Sequence, residues 1–139
     1  MDGRQERLEK ANHLIKSIAA NGRNFLSSKV VPWDLKSPTV VAQFEIDERG
    51  RVWYIDHWSG KRIYAHYDGP WKDFTGGGTL KNLVKVLATY IAKGERLHPG
   101  YFGPWPKWYS QGDPWGYGTG SMEMIRKKAR DLGLVRDCG

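Results

Sequence analysis

An α+β fold is predicted by two patterns in the sequence of 139 residues. Apolar residues recur at helical spacing in residues 5–20, 79–93 and 121–132, and they alternate with polar residues from position 40 onward. Glycine and proline separate these stretches. The sequence therefore predicts one domain, 1–139, that contains an N-terminal helix, a three-stranded antiparallel meander and two later helices.

The first predicted helix covers residues 5–20. Its apolar positions follow the spacing of one helix face, and Asn21-Gly22 is a typical left-handed stop. Pro32 and Pro38 then disfavour helix at the residues before them. Residues between the helix and position 40 are therefore expected to connect the helix to the sheet.

The predicted meander consists of strands 40–47, 51–58 and 61–67. Arg49-Gly50 and Ser59-Gly60 are interpreted as two-residue hairpin turns. This register places Phe44 opposite Ile55, and Ile55 opposite Tyr64, on the face that covers the core. On the same core face, this register places Ile46 opposite Trp53, His57 opposite Arg62, and His66 opposite Trp53. On the second face it places Tyr54, Trp58, Ile63 and Tyr67.

Two amphipathic helices follow the meander. Thr79 is the expected cap of helix 79–93, and Gly94 its stop. Ser121 is the expected cap of helix 121–132. The segment between them, 97–120, is rich in aromatic residues, glycine and proline, and we expect its rings either to cover the second face of the sheet or to bind a partner.

Composition excludes several classes of protein. The chain has a net charge of +7 and one cysteine, Cys138, so neither a disulfide framework nor a cysteine-based zinc cluster is expected. No apolar run approaches the ~20 residues of a membrane span, and the charged N-terminus is unlike a signal peptide. These features predict a cytoplasmic protein without a membrane contact, a metal or a cofactor.

A glycine run before the second helix is a candidate anion site. Backbone N–H groups of a glycine-rich turn can bind phosphate together with a helix N-terminus. The run lacks the Lys-Ser/Thr pair of a P-loop, so nucleotide hydrolysis is not expected. The residues of this candidate are Gly76, Gly77, Gly78 and Thr79. The alternative is that they only allow a tight turn.

Imidazoles and carboxylates near positions 56–68 form the candidate site for an enzyme. His57, His66 and Asp68 supply groups that general acid–base catalysis uses. Neighbouring residues of a strand point to opposite faces, however, so Asp56 and His57 do not share a site. An enzyme is therefore the third hypothesis, after two kinds of binding protein.

The leading hypothesis is a small non-enzymatic protein that binds nucleic acid or another polyanion. The excess positive charge lies outside residues 40–75, which carry five Lys or Arg against six acids. Basic helices are therefore expected to contact phosphates. The candidate residues are Lys81, Lys85, Arg126, Lys127, Lys128 and Arg130, with His57 and Arg62 as a cationic pair at the margin of the sheet.

The alternative hypothesis is a protein-interaction or inhibitory module that docks on a larger protein. Trp and Tyr are frequent anchors of such interfaces. Trp105, Trp108 and Trp115 of the aromatic segment are the candidate anchors, unless they fold back onto the sheet. Neither the partner nor the oligomeric state follows from the sequence.

Overall fold

The computed structural model describes residues 3–21, 26–29, 33–34, 36–66, 70–75, 78–98, 101–102 and 119–136. It confirms the α+β class, with an N-terminal helix, a three-stranded antiparallel sheet and two later helices. The elements in chain order are α1 Arg4–Asn21, β1 Ser27–Lys29, β2 Thr39–Val41, β3 Gln43–Ile46, β4 Val52–Ile55, β5 Arg62–Tyr64, α2 Gly78–Lys93 and α3 Thr119–Asp131.

The three-stranded sheet has the order β3-β4-β5, but its register differs from the predicted one. Phe44 pairs with Tyr54, and not with Ile55. Tyr54 pairs with Ile63, which places these three residues on one face. Phe44, Tyr54 and Ile63 are all buried. The predicted core face was therefore wrong for β4 and β5, because a shift of one residue exchanges the two faces of a strand.

Two aspartates explain the shift, because each lengthens a turn. Asp47 Oδ1 accepts hydrogen bonds from the backbone N–H groups of Arg49 and Arg51, at 2.9 and 2.8 Å. The Asp47 N–H donates to the Arg51 carbonyl, so residues 48–50 form the loop, and Gly50 takes the left-handed conformation. This is the three-residue hairpin loop with a glycine bulge.

The turn between β4 and β5 is also longer than predicted. Asp56 Oδ2 accepts from the N–H groups of Trp58 and Ser59, at 3.0 and 2.9 Å. The Asp56 N–H donates to Lys61 O, which leaves residues 57–60 as the loop. His57 therefore lies in the turn and does not pair with Arg62, whose partner across the sheet is Ile55.

The first predicted strand is divided between two sheets. β2 pairs with β1 in a two-stranded antiparallel sheet, whereas β3 belongs to the three-stranded one. The N–H of Ala42, between β2 and β3, donates to Leu26 O at 2.8 Å. β1 was not predicted, because Ser27–Lys29 has no apolar alternation.

Helix α1 is the centre of the core. It contacts α2, α3, β2 and β3. The predicted apolar stripe of this helix consists of Leu8, Ala11, Ile15, Ile18 and Ala19. Leu14 lies outside that stripe but is fully buried, since α1 is covered on more than one side. The buried residues of α1 are Leu8, Ala11, Leu14, Ile15 and Ile18.

Arginines of α1 bind the C-terminal end of α2. Arg7 Nε donates to Ile91 O at 3.0 Å, and Arg4 Nε to Ala92 O at 3.4 Å. Carbonyls in the last turn of a helix lack helical partners and carry partial negative charge. These two cations therefore stabilise the α1–α2 contact and are engaged within the fold.

The start of the aromatic segment is part of the fold. Phe102 is buried, and its carbonyl accepts a hydrogen bond from Arg126 of α3 at 3.0 Å. Leu97 forms an isolated parallel bridge with Val135, beyond α3. Trp105, Trp108 and Trp115 lie outside the described residues, as does Tyr67.

Candidate nucleic-acid interface

The outer face of the three-stranded sheet carries a series of side chains in contact, which we call the ring ladder: Arg62, Trp53, Tyr64 and His66. The Arg62 guanidinium carbon lies 4.3 Å from the centre of the Trp53 ring. Trp53 and Tyr64 are paired across β4 and β5, with ring centres 5.4 Å apart. His66 meets the Tyr64 ring edge-on at 5.8 Å. A cation and three rings therefore lie in contact on one surface.

Alternation along the strands places the ladder on this face. Tyr54 and Ile63 point into the core, so their neighbours in the chain point to the opposite side. Tyr64 is 37% exposed, and Trp58, in the adjacent turn, is 62% exposed. Aromatic surface is therefore exposed to solvent on and beside this face.

Asp47 holds one end of the ladder in place. Its Oδ2 accepts from Trp53 Nε1 at 2.9 Å and from Arg51 Nε at 2.7 Å. The Trp53 indole N–H, followed by the hydrogen bonds of Arg51 and Arg49, lowers the pKa of Asp47 well below its ordinary value. A charged Asp47 thus orients the Trp53 ring and neutralises Arg51.

Arg62 differs from Arg51 in its partners. Within the described parts of the chain, no carboxylate lies within ion-pair distance of Arg62. Its contact with Trp53 is a cation–π interaction, which leaves the N–H donors of the guanidinium available. Of these two arginines, Arg62 is therefore the better placed to meet an anion.

The two histidines near the sheet are both neutral near pH 7. Burial lowers the pKa of His66, and the charge of Lys93 lowers it further. Burial also lowers the pKa of His57, although the Asp56 carboxylate partly opposes this. Neither histidine contributes positive charge to the interface at neutral pH.

Asp56 has a structural environment. It is 1% exposed and accepts from the N–H and hydroxyl of Thr75, each at 3.0 Å, in addition to the two N–H groups of its turn. Burial raises its pKa, but the hydrogen bonds outweigh this and the pKa is lowered. Asp56 thus joins the β4–β5 turn to the segment before α2.

The predicted cations of α2 and α3 have varied surroundings. Lys81 Nζ lies 4.9 Å from the centre of the Trp71 ring. Lys127 pairs with Asp131 at 3.4 Å, and Arg126 is bound to the Phe102 carbonyl. Lys128 is half-buried and Arg130 is exposed. Part of the charge that the sequence assigned to phosphates is thus engaged within the molecule.

Lys85 lies at a cleft of about 370 Å³ beside α2. Arg96 and His98 line the same cleft, and Glu95 is its one acid. Tyr101 forms part of the wall, and burial raises its pKa to about 12. This cleft is a second cationic surface of the described structure.

Other sequence candidates are only partly placed. Gly76, Gly77 and Asp68 lie outside the described residues, and α2 begins at Gly78. The anion site in the glycine run and the trio of His57, His66 and Asp68 therefore stay predictions. In the described ranges no three His, Cys, Asp or Glu residues are grouped as a metal site requires. Nor does any helix there have the length and apolar character to cross a membrane.

The ring ladder was not predicted, because the predicted register placed Trp53 and Tyr64 in the core. Asp47 and Asp56 are the residues from which the longer turns could have been predicted. Each aspartate stands at the start of a turn, where its side chain can bind backbone N–H groups two or more residues ahead. Allowing for that preference at Asp47 would have moved the β3–β4 register by one residue, which exchanges the faces of β4 and β5. At Asp56 it would have moved the β4–β5 register by two residues, which leaves the faces unchanged.

Fold and surface together define a small α+β protein whose outer sheet face places an arginine beside aromatic rings. A protein-family model described as YoqU matches residues 2–138, and the chain belongs to this family. The comparisons with curated proteins and with solved structures found no match.

Proposed function

We propose that the protein is a small cytoplasmic, non-enzymatic protein that binds nucleic acid. The observation that carries the proposal is Arg62, which lies over Trp53 beside the partly exposed ring of Tyr64. Cations next to aromatic rings are the usual means of holding phosphates and bases at once. A sheet provides the rigid support that such a site requires.

The remaining positive charge supports the same proposal. The net charge of +7 attracts a polyanion from a distance and speeds its encounter with the protein. Lys85 and Arg96 at the α2 cleft, together with Arg130, are available as further phosphate contacts. We assign these helix residues a secondary role, and the sheet face the primary one.

An enzyme receives less support from the geometry. Asp56 is the carboxylate beside His57, and its oxygens are engaged by hydrogen bonds from Trp58, Ser59 and Thr75. Those contacts favour a structural role for Asp56 over one in proton transfer.

The proposal is tested by measuring the fluorescence anisotropy of labelled mixed-sequence DNA and RNA, both single- and double-stranded, as salt is raised. We expect binding that weakens about 10- to 40-fold between roughly 50 and 200 mM salt, as release of two or three counterions predicts. Arg62→Gln should weaken binding more than Lys16→Gln, which removes the same charge from an exposed position on α1. Absence of binding to every probe at low salt would refute the proposal.

A protein-interaction or inhibitory module remains the second proposal. Trp33 supports it, because this side chain is 85% exposed in the segment between β1 and β2. A tryptophan so placed is a typical anchor for a protein partner. If no nucleic-acid probe binds in the anisotropy experiment, the protein-interaction module becomes the leading hypothesis.

A further inference from the structure

We infer that the ligand of the sheet face is a single-stranded nucleic acid, with one unpaired base stacked on Tyr64 and the adjoining phosphate at Arg62. This inference rests on the proposed function and names the class of nucleic acid that the same surface takes.

Tyr64 is the ring of the ladder with the clearest access to a base. Trp53 supports it from β4 and His66 contacts it edge-on, so its orientation is set before a ligand arrives. Its 37% exposure leaves ring surface open. Bases within a duplex are covered on both faces by their neighbours, whereas an unpaired base can stack on a protein ring.

Arg62 and Tyr64 are spaced to receive one nucleotide. They lie on the same face of β5, two residues and therefore about 6.6 Å apart along the strand. Arg62 stays in place because its guanidinium lies over Trp53. A single nucleotide can thus direct its phosphate to Arg62 and its base to Tyr64.

Charges around the ladder favour a strand that follows β5. Arg62 supplies the positive charge on β5. Glu45 and Asp47 are acidic residues on the same face. Glu45 pairs with Trp53 from β3, so its backbone lies two strands, or about 9.6 Å, from that of Tyr64. Asp47 is neutralised by Arg51. The surface is therefore most complementary to a polyanion at its β5 side.

The experiment compares three probes of one length on the full chain: an oligothymidylate, its duplex with oligoadenylate, and a strand in which abasic units replace the thymidines. An oligouridylate of the same length shows whether RNA or DNA binds more tightly. Tighter binding of either single strand than of the duplex supports the inference. We expect the oligothymidylate to bind at least about fivefold more tightly than the abasic strand, because a stacked base contributes about that factor or more.

Two variants of Tyr64 separate the ring from its hydroxyl. Tyr64→Ala should remove the preference for the thymidine strand over the abasic strand, while Tyr64→Phe should retain it. Arg62→Gln should weaken all probes and make the dependence on salt shallower, by about one counterion. Circular dichroism of each variant checks that it is folded, and the comparison of probes on the unaltered protein does not depend on any variant.

The outcomes separate this inference from the proposed function. Equal binding of thymidine, abasic and duplex probes, with normal salt dependence, would overturn the single-strand inference and leave nucleic-acid binding in place. Failure of every probe to bind would overturn both. A preference for the thymidine strand that Tyr64→Ala leaves intact would overturn the assignment of Tyr64.

Discussion

At the scale of single residues, Asn12 of α1 takes the place of a neighbouring strand at the edge of the sheet. Its Oδ1 accepts from the Phe44 N–H at 2.7 Å, and its Nδ2 donates to the Phe44 carbonyl at 3.1 Å. β3 pairs with β4 on its other side. Asn12 therefore pairs with the backbone of β3 on the side that has no neighbouring strand in the described structure. It protects that edge of the sheet from pairing with another chain.

Asn12→Ala should lower the free energy of unfolding by about 1–3 kcal/mol, because it leaves a backbone donor and acceptor of Phe44 without their partner. Urea denaturation measures the change. His13→Ala is the matched control, since His13 is the exposed neighbour on the same helix and should change the stability little. Equal effects of the two substitutions would show that the hydrogen bonds of Asn12 to Phe44 do not stabilise the protein.

Tyr54 presents the opposite situation at the centre of the sheet. Its ring packs against Phe44 and Phe74, with centres 5.6 and 5.8 Å away. Its hydroxyl is buried and has no hydrogen-bond partner in the described structure. Burial, with a smaller contribution from the Asp56 charge, raises the pKa of Tyr54 far above its ordinary value.

Tyr54→Phe should therefore leave stability unchanged or raise it by up to about 1 kcal/mol, since the substitution removes an unsatisfied polar group and keeps the ring contacts. The midpoint and slope of urea denaturation provide the comparison. A loss of more than about 1 kcal/mol would show that the hydroxyl has a stabilising contact.

At the scale of elements, the two turns of the meander differ in what surrounds their glycines. Gly50 and Gly60 both have positive φ, at 80° and 69°. A Cβ atom on Gly50 would come within 2.5 Å of Arg4 Nη1, whereas one on Gly60 would meet no atom within 4 Å. Arg4 Nη1 also donates to the Gly50 carbonyl at 3.4 Å.

Gly50→Ala should consequently destabilise the protein more than Gly60→Ala. Both substitutions incur the cost of a left-handed alanine, about 1 kcal/mol, but only the first displaces Arg4 from the hairpin. Thermal unfolding of the two variants, followed by circular dichroism, measures the difference. Identical melting temperatures would show that the Arg4 contact contributes nothing.

The helices were predictable from the sequence to within two residues, whereas the strand register was not. Each helix has a continuous apolar stripe and a glycine or asparagine near its end, so local pattern sets its limits. Register depends on turn length, which Asp47 and Asp56 determine through side-chain hydrogen bonds. Arg62 was predicted as a site residue. The positions of Trp53 and Tyr64 depend on the register, and the predicted register placed both in the core.

At the scale of the whole molecule, titration of two histidines and two aspartates makes stability depend on pH in two steps. The folded pKa values of His57 and His66 lie below the ordinary 6.5, so the unfolded chain binds these protons first. Their contribution is present above about pH 6.5 and decreases as pH falls through that value. The folded pKa values of Asp47 and Asp56 are also lowered, so their contribution decreases below about pH 4.

We expect the melting temperature to fall first on acidification from pH 8 to 5 and again below about pH 4. Replacing His57 and His66 with Gln should reduce the first decrease and leave the second, because the aspartates are unchanged. Differential scanning calorimetry at each pH measures both steps. A first decrease that the double variant retains would assign it to other groups.

The bridge between Leu97 and Val135 has a consequence for the order in which the molecule assembles. These residues are 38 positions apart, and α3 lies between them. Closing a loop of this length costs entropy before its contacts form, whereas the meander joins neighbouring strands. We therefore expect the docking of α3 and Phe102 to be a late event in folding. The start of the aromatic segment would then also be among the first regions to open when the native protein fluctuates.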